Sequence, residues 1–158
     1  MSLQIKGPWD QGQITHFLQA SKFPLRLACV GRDGFPRVVS LWYGYDGQAF
    51  RCVSHRSSQL ISLLQESDRV GFEIAPNDPP YHGVRGQGIA SLEADIDGAT
   101  LTEMLQRYLL GSDSKLGHWL LSRADDEVLI TIKPTRLYSW DYRERMADAV
   151  ASEDATGT

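Results

Sequence analysis

Residues 52–67 read CVSHRSSQLISLLQES. An apolar, strand-like run enters Ser54, His55, Arg56, Ser57 and Ser58 and leaves as a helix. Such a junction has the means to hold an anion. The first turn of a helix leaves backbone N–H groups unpaired and carries a partial positive charge. Ser54, Ser57 and Ser58 add donors, and Arg56 adds a forked cation suited to phosphate. A simpler reading is that Ser57 or Ser58 caps the helix. A cap needs one hydroxyl, and the cluster has three.

Two further stretches carry groups that could bind a ligand. In PRVVSLWYGYDG, Arg37, Val39, Leu41 and Tyr43 alternate with Val38, Ser40, Trp42 and Gly44. A strand there shows an arginine on one face and a serine with a tryptophan on the other. It reads either as a half-buried strand with a rim aromatic or as one wall of a site. In TRLYSWDYRER, Arg136, Tyr138, Trp140 and Tyr142 fall on one face. They read either as a cross-strand ladder or as a row that stacks on a planar ring or an interface. No GxSxG or HExxH is present, and no catalytic acid, base or nucleophile stands out. Glu66, Asp68, Asp125 and Asp126 read as solvated carboxylates. GVRGQG continues into IASLE, a strand pattern, so it fails the context of a dinucleotide loop. Chemistry on this chain would fall to a cofactor.

The elements that must position these groups follow from periodicity. Residues 10–20 place Ile14, Phe17 and Leu18 on one face of a leading helix. Asp-Gly pairs at 33–34 and 46–47 separate three β-rich runs, about 25–31, 36–45 and 48–54. Leu60, Ile61, Leu63 and Leu64 have helical spacing, and DRVGFEIAP is a fourth strand. YHGVRGQGIASLEAD is a fifth, and its glycines predict a bulge or a close approach. TLTEMLQRYLLG is a helix, with Thr100 and Glu103 as a capping box and Gly111 as its stop. SKLGHWLLSR is a short helix with Leu116, Trp119 and Leu120 inward. EVLITIKPTRLYSWDY closes the chain as one long strand, or as two collinear ones broken near Pro134. The expected fold is mainly β: a split β-barrel of six or so antiparallel strands with inserted helices.

The 158 residues suit one domain, residues 1–146, with 147–158 as a disordered tail. A net charge of −4 without a basic stripe argues against a nucleic-acid partner. No apolar run is long enough to span a membrane, and the N-terminus lacks a signal-peptide pattern, so a cytoplasmic location is expected. Cys29 and Cys52 read as buried hydrophobes. The four histidines have no ligand spacing, and no metal site is expected.

The order of these pieces resembles the pyridoxamine 5′-phosphate oxidase-like family, the FMN-binding split barrels. The resemblance spans about residues 15 to 143. It rests on DGFPRVVSLWY, DGQAFRCVS, SHRSSQ leading into LISLLQESDRVGFEI, VRGQGIASLE and IKPTRLYSWDY. It implies a homodimer with flavin at the subunit interface. The second barrel strand, Arg37, Val38, Val39, Ser40 and Trp42, would run beside the isoalloxazine ring. Val53 and Ser54, then the turn with Arg56, Ser57, Ser58 and Gln59, would hold the phosphate. Trp140 would reach the flavin of the partner subunit. One departure stands out: many family members have Arg-Lys or Ser-Lys where this chain has Ser58-Gln59. Losing the lysine removes a charge-assisted contact worth about 1.5–3 kcal/mol, which Arg56 is placed to replace. The tail after Arg145 lacks the basic cluster of true pyridoxamine phosphate oxidases, so vitamin B6 synthesis is not expected. The implied function is an FMN-dependent oxidoreductase acting on a small molecule. The alternatives are a deazaflavin-dependent reductase and a non-catalytic flavin- or haem-binding protein, with His82 or His118 as the haem ligand.

Overall fold

The computed structural model describes residues 2–147. The expected disordered tail lies outside the described residues except for Ala147, which ends a helical turn at 143–147. In chain order the elements are β1 (Gln4–Lys6), α1 (Gln11–Ala20), β2 (Leu25–Val30), β3 (Pro36–Leu41), β4 (Gly44–Tyr45) and β5 (Phe50–His55). Then follow α2 (Gln59–Glu66), β6 (Arg69–Ile74), β7 (His82–Ala94), α3 (Ala99–Leu109), α4 (Lys115–Leu121) and β8 (Glu127–Asp141). The strands form one mainly antiparallel sheet in the order β3-β2-β6-β7-β8-β5-β4. The short β1 was not expected from the sequence. It adds to β8 in parallel, with Ile5 opposite Leu137.

Gly34 and Gly47 take φ of 84° and 95° in the two Asp-Gly turns, where a side chain would be strained. The expected strand 36–45 is divided. β3 pairs with β2, with Leu25 opposite Leu41, whereas β4 pairs with β5. Trp42 and Tyr43 make the crossing between partners. Tyr43 is fully buried, and its hydroxyl donates to the Leu18 carbonyl at 2.6 Å. Trp42 stacks on Tyr108 of α3 at 5.1 Å and 6°. Leaving one partner strand for another separates β3 from β5 and opens the barrel there.

The inward residues of the strands and helices meet in one core. Leu27, Phe50, Phe72, Ile130, Ile132 and Leu137 fill it, and Leu60, Ile61, Leu63 and Leu64 cover it from α2. Cys29 and Cys52 are buried and unpaired, and burial pushes the Cys52 thiol up to about 12. The C-terminal carbonyls of α1 are satisfied from a distance: Arg107 donates to Leu18, Gln19 and Ser21.

Two helices differ from the sequence reading. The Thr100–Glu103 capping box does not form. The buried Asp95 carboxylate accepts from the Thr100 and Leu101 N–H groups at 3.0 Å each, and Gly98 enters α3 in the left-handed region. A charged acceptor outcompetes a hydroxyl for those donors, and Glu103 instead pairs with Arg51. In α4, Leu116 and Trp119 lie outward, about half exposed. This two-turn helix docks through Gly117, whose missing side chain lets it approach the Ser112 backbone.

β7 and β8 are paired along nearly their full length, and the ladder shifts register once. Gln87 faces Arg136 while Gly88 faces Pro134, leaving Thr135 as a bulge. Proline has no N–H for the ladder, so the bulge falls where pairing is weakest. β8 runs through it as a single strand. A Cβ at Gly86 would stand 2.3 Å from the Arg136 carbonyl oxygen. At the far end of β8, Asp141 accepts from Arg143 Nη2 at 2.6 Å and from Trp9 Nε1 at 3.2 Å, tying the N-terminal segment to the sheet. The Arg143 guanidinium holds the Asp141 carboxyl well below the usual carboxylate range.

Gly86→Ala is expected to destabilise by at least about 2 kcal/mol, because the obstacle is backbone and cannot rotate away; urea unfolding measures it. Asp141→Asn is expected to lower Tm at pH 7. A depressed carboxyl contributes fully above its unfolded value near ~4, and the contribution disappears as pH falls through the folded value. The Tm difference between variant and wild type should therefore close under acid conditions in a Tm–pH series.

Candidate functional site

The sheet path begins at β3 and ends at β4, and among the described residues β3 pairs only with β2. The junction after β5 is built at this opening. His55 is the last paired residue of β5 and faces Glu127 across the ladder. Arg56 N–H donates to the Asp126 carbonyl at 2.8 Å, and Ser58 N–H turns back to the His55 carbonyl at 2.9 Å. Ser58 is the helix cap: its hydroxyl accepts from Ile61 N–H at 3.3 Å and shares a 2.9 Å hydrogen bond with Ser54 Oγ. Ser57 caps nothing; its hydroxyl lies 2.7 Å from His55 Nδ1. The simpler reading of the junction is therefore met by one serine, and a second holds that serine in place.

Two hollows adjoin the junction. The smaller is a cleft of about 200 Å³ lined by Arg32, Asp33, Arg37, Gln59, Ser62 and Leu63. Arg37 Nη2 lies 3.0 Å from Asp33 Oδ2, and hydrogen bonds from Arg37 and the Phe35 N–H hold the Asp33 carboxyl low. Arg32 donates to Ser62 Oγ at 2.8 Å and to Glu66 at 2.9 Å. The larger hollow, about 400 Å³, lies between the ends of β3 and β5 and the α3–α4 segment. Ser40, Trp42, Val53, Ser54 and His55 line one side of it; Leu101, Leu116 and Leu120 line the other, with Arg123 and Glu127.

The structure brings some sequence-predicted residues together and separates others. Ser40, Trp42, Val53 and Ser54 share the larger hollow, and Arg37 and Gln59 share the cleft. Ser58 stands between them as the cap. Arg56 is largely exposed and places Nε 3.0 Å from Asp126 Oδ1. Val39 packs on the core, whereas Val38 faces outward on the sheet beside Ala28. Trp140 lies near the other end of β8, roughly 40 Å along the strand from Glu127. Arg85 sits over Tyr138 at 4.5 Å and 5.6 Å from the Trp140 ring, so the expected aromatic row is bridged by a cation. His82 Nδ1 lies 2.9 Å from the Pro80 carbonyl, and His118 is exposed on α4. Among the described residues no cluster of histidine, cysteine or carboxylate side chains is arranged to hold a metal.

The donor set fits a phosphate. The first turn of α2 offers N–H groups that Ser58 leaves unpaired, and Arg32 and Arg37 stand at the cleft beside it. Their carboxylate pairs are exposed and screened by water, so either guanidinium can turn to a ligand at small cost. Arg32 was not singled out from the sequence. It sits in a hairpin turn, and only folding brings it to α2. Glu127 was missed as well, because a carboxylate at the start of a strand looks like an ordinary solvated group. Asp126, read as solvated, is the partner of both Arg56 and His55, the latter at 3.6 Å.

No protein-family model matches this sequence, and no curated protein matches it. Solved structures do. A conserved hypothetical protein from Mycobacterium tuberculosis superposes with a TM-score of 0.72 at 23% identity, over 90% of this chain and 91% of that one. An F420 reductase gives 0.66 at 24% identity, over 76% and 92%. A putative pyridoxamine 5′-phosphate oxidase from Listeria innocua gives 0.61 at 20% identity, over 80% and 94%. The fold is the split barrel of the pyridoxamine 5′-phosphate oxidase-like proteins. No described helix is long and apolar enough to cross a membrane.

Ser58→Ala is expected to cost about 1 kcal/mol, the usual worth of a helix cap, while Ser57→Ala costs almost nothing. Parallel denaturant titrations of the two variants separate them.

Proposed function

We propose that the protein is an FMN-dependent oxidoreductase acting on a small molecule. The observation that carries this reading is one convergence: a helix N-terminus and two arginines at one small cleft, next to a larger hollow walled by Trp42. Arg37, Arg32, Gln59 and the first turn of α2 would hold the phosphate. Ser40, Trp42, Val53 and Ser54 would line the ring. Bound FMN supplies the hydride or electron transfer. The protein's part is placement and the exclusion of water by Leu101, Leu116 and Leu120. Arg32 and Arg37 take over the charge that Gln59 lacks, and Arg56 swings in only by leaving Asp126. The reading includes a homodimer. Val30, Phe35 and Val38 are exposed apolar residues of the β2–β3 hairpin, which a second subunit would cover. The partner's Trp140 would then reach the ring, since this chain's own Trp140 lies too far along β8.

A deazaflavin coenzyme is the second reading, favoured by the likeness to an F420 reductase. It has a ring and a phosphate like those of FMN and would use the same two hollows.

The test compares FMN with riboflavin, which lacks the phosphate. Protein loaded with FMN and gel-filtered should retain twin flavin absorption bands. Arg37→Ala should weaken FMN by about 10- to 100-fold, the worth of one charge-assisted contact, and leave riboflavin unchanged; Arg56→Ala should change FMN less. Retention of the deazaflavin coenzyme but not FMN would select the second reading. A Soret band, or no retained chromophore with either coenzyme, would overturn both.

A further inference from the structure

Glu127 lines the larger hollow as a carboxylate without a side-chain partner among the described residues. Its residue exposure is 8%, and it lines the hollow. Its backbone carbonyl accepts from Asp95 N–H at 3.1 Å. Among the described residues its carboxylate has no hydrogen bond and no cation within 4.0 Å. The groups around it are all engaged elsewhere. His55, directly across the ladder, gives Nδ1 to Ser57 and turns Nε2 toward Asp126. The Arg123 guanidinium lies 4.6 Å over the Trp119 ring. Asp95 is occupied by the α3 N–H groups. Burial pushes the Glu127 carboxyl up; His55 and Arg123 oppose the shift, and Asp95 and Asp126 add to it.

A largely enclosed carboxylate without a protein partner is left to water or to a ligand. Here that partner can come from the hollow it lines. Trp42 forms a flat wall there, held by its stack on Tyr108, and Leu101, Leu116 and Leu120 make the opposite side apolar. A planar ring fits between such walls, and its polar edge would have to bear a donor for Glu127 to accept. We propose that Glu127 is the specificity-determining acceptor of this hollow, receiving an N–H edge of a planar ring. The hollow's identity as the ring site rests on the proposed function; the donor requirement rests on Glu127 alone. The N–H has two chemical sources. One is the imide of a flavin or deazaflavin pyrimidine ring. The other is an amidine- or amide-bearing aromatic substrate.

Probes without a phosphate separate this inference from the phosphate cradle. Cofactor-free protein is titrated with lumiflavin, with 3-methyllumiflavin, whose imide N–H is blocked, and with benzamidine. Lumiflavin is expected to bind at least tenfold more tightly than its methylated form. Glu127→Met should abolish that preference, and Glu127→Gln should reduce it. Both variants should melt at or above the wild-type temperature, because the carboxylate removed has no protein partner. Lumiflavin binding without FMN retention would sink the phosphate cradle and sustain Glu127. Benzamidine binding that depends on Glu127, with no lumiflavin binding, would sustain the acceptor and assign its donor to a substrate. Equal binding of the two lumiflavins, no binding of any probe, or a lowered Tm in both variants would overturn the proposal. The last outcome would mark Glu127 as a structural ion-pair member.

Discussion

The β7–β8 ladder is the constraint on which the rest of the molecule depends. β8 carries β7 on one edge and β5 on the other, and β1 joins the β5 edge beyond Ile132, where β5 pairing has ended. Two strands this long cannot wrap a core unless the ladder bends. The bend is supplied where Thr135 bulges out opposite glycine, and Gly86 and Gly88 give the backbones room to close. The same strand then sets the distance between functional parts. Glu127 and its neighbours are fixed at one end, and Trp140 and Asp141 at the other.

The electrostatics of the opening divide into two kinds. Arg32, Arg37 and Arg56 each rest on a carboxylate, and every one of these pairs is exposed to water. Such pairs are weak and exchangeable, so the cations are stored near the surface and remain available. Glu127 is the opposite case: a largely enclosed residue, beside cations that face elsewhere. A surface pair left unmade costs little, whereas a carboxylate held in an enclosed hollow favours a ligand that brings a donor. In the proposed site, the difference would make Arg32 and Arg37 adaptable ligands and Glu127 a selective one.

Local residue types made much of the fold legible. Asp33-Gly34 and Asp46-Gly47 mark turns because positive φ needs glycine, and the spacing of Leu60, Ile61, Leu63 and Leu64 places α2 on the core. Thr100 and Glu103 looked like a cap because the pattern is local, but Asp95 reached the same donors from outside the helix. Leu116 and Trp119 looked inward because they are apolar. The packing of α4 was decided instead by the small size of Gly117.

The sequence by itself determined most of the strand and helix inventory, though not β1 or the division of 36–45, together with the glycine-rich irregularity and the hydroxyl-rich turn, because each depends on residues within a few positions of one another. Tertiary structure alone decided that Ser54 steadies Ser58, that Arg32 stands at α2, that β3 and β4 take different partner strands, and that Glu127 is buried facing the Trp42 hollow. These depend on which distant segments meet, and burial and pairing are properties of the meeting rather than of the residue. That is why the hydroxyl-rich turn could be read along the chain, while the carboxylate at the end of β8 became visible only in the folded protein.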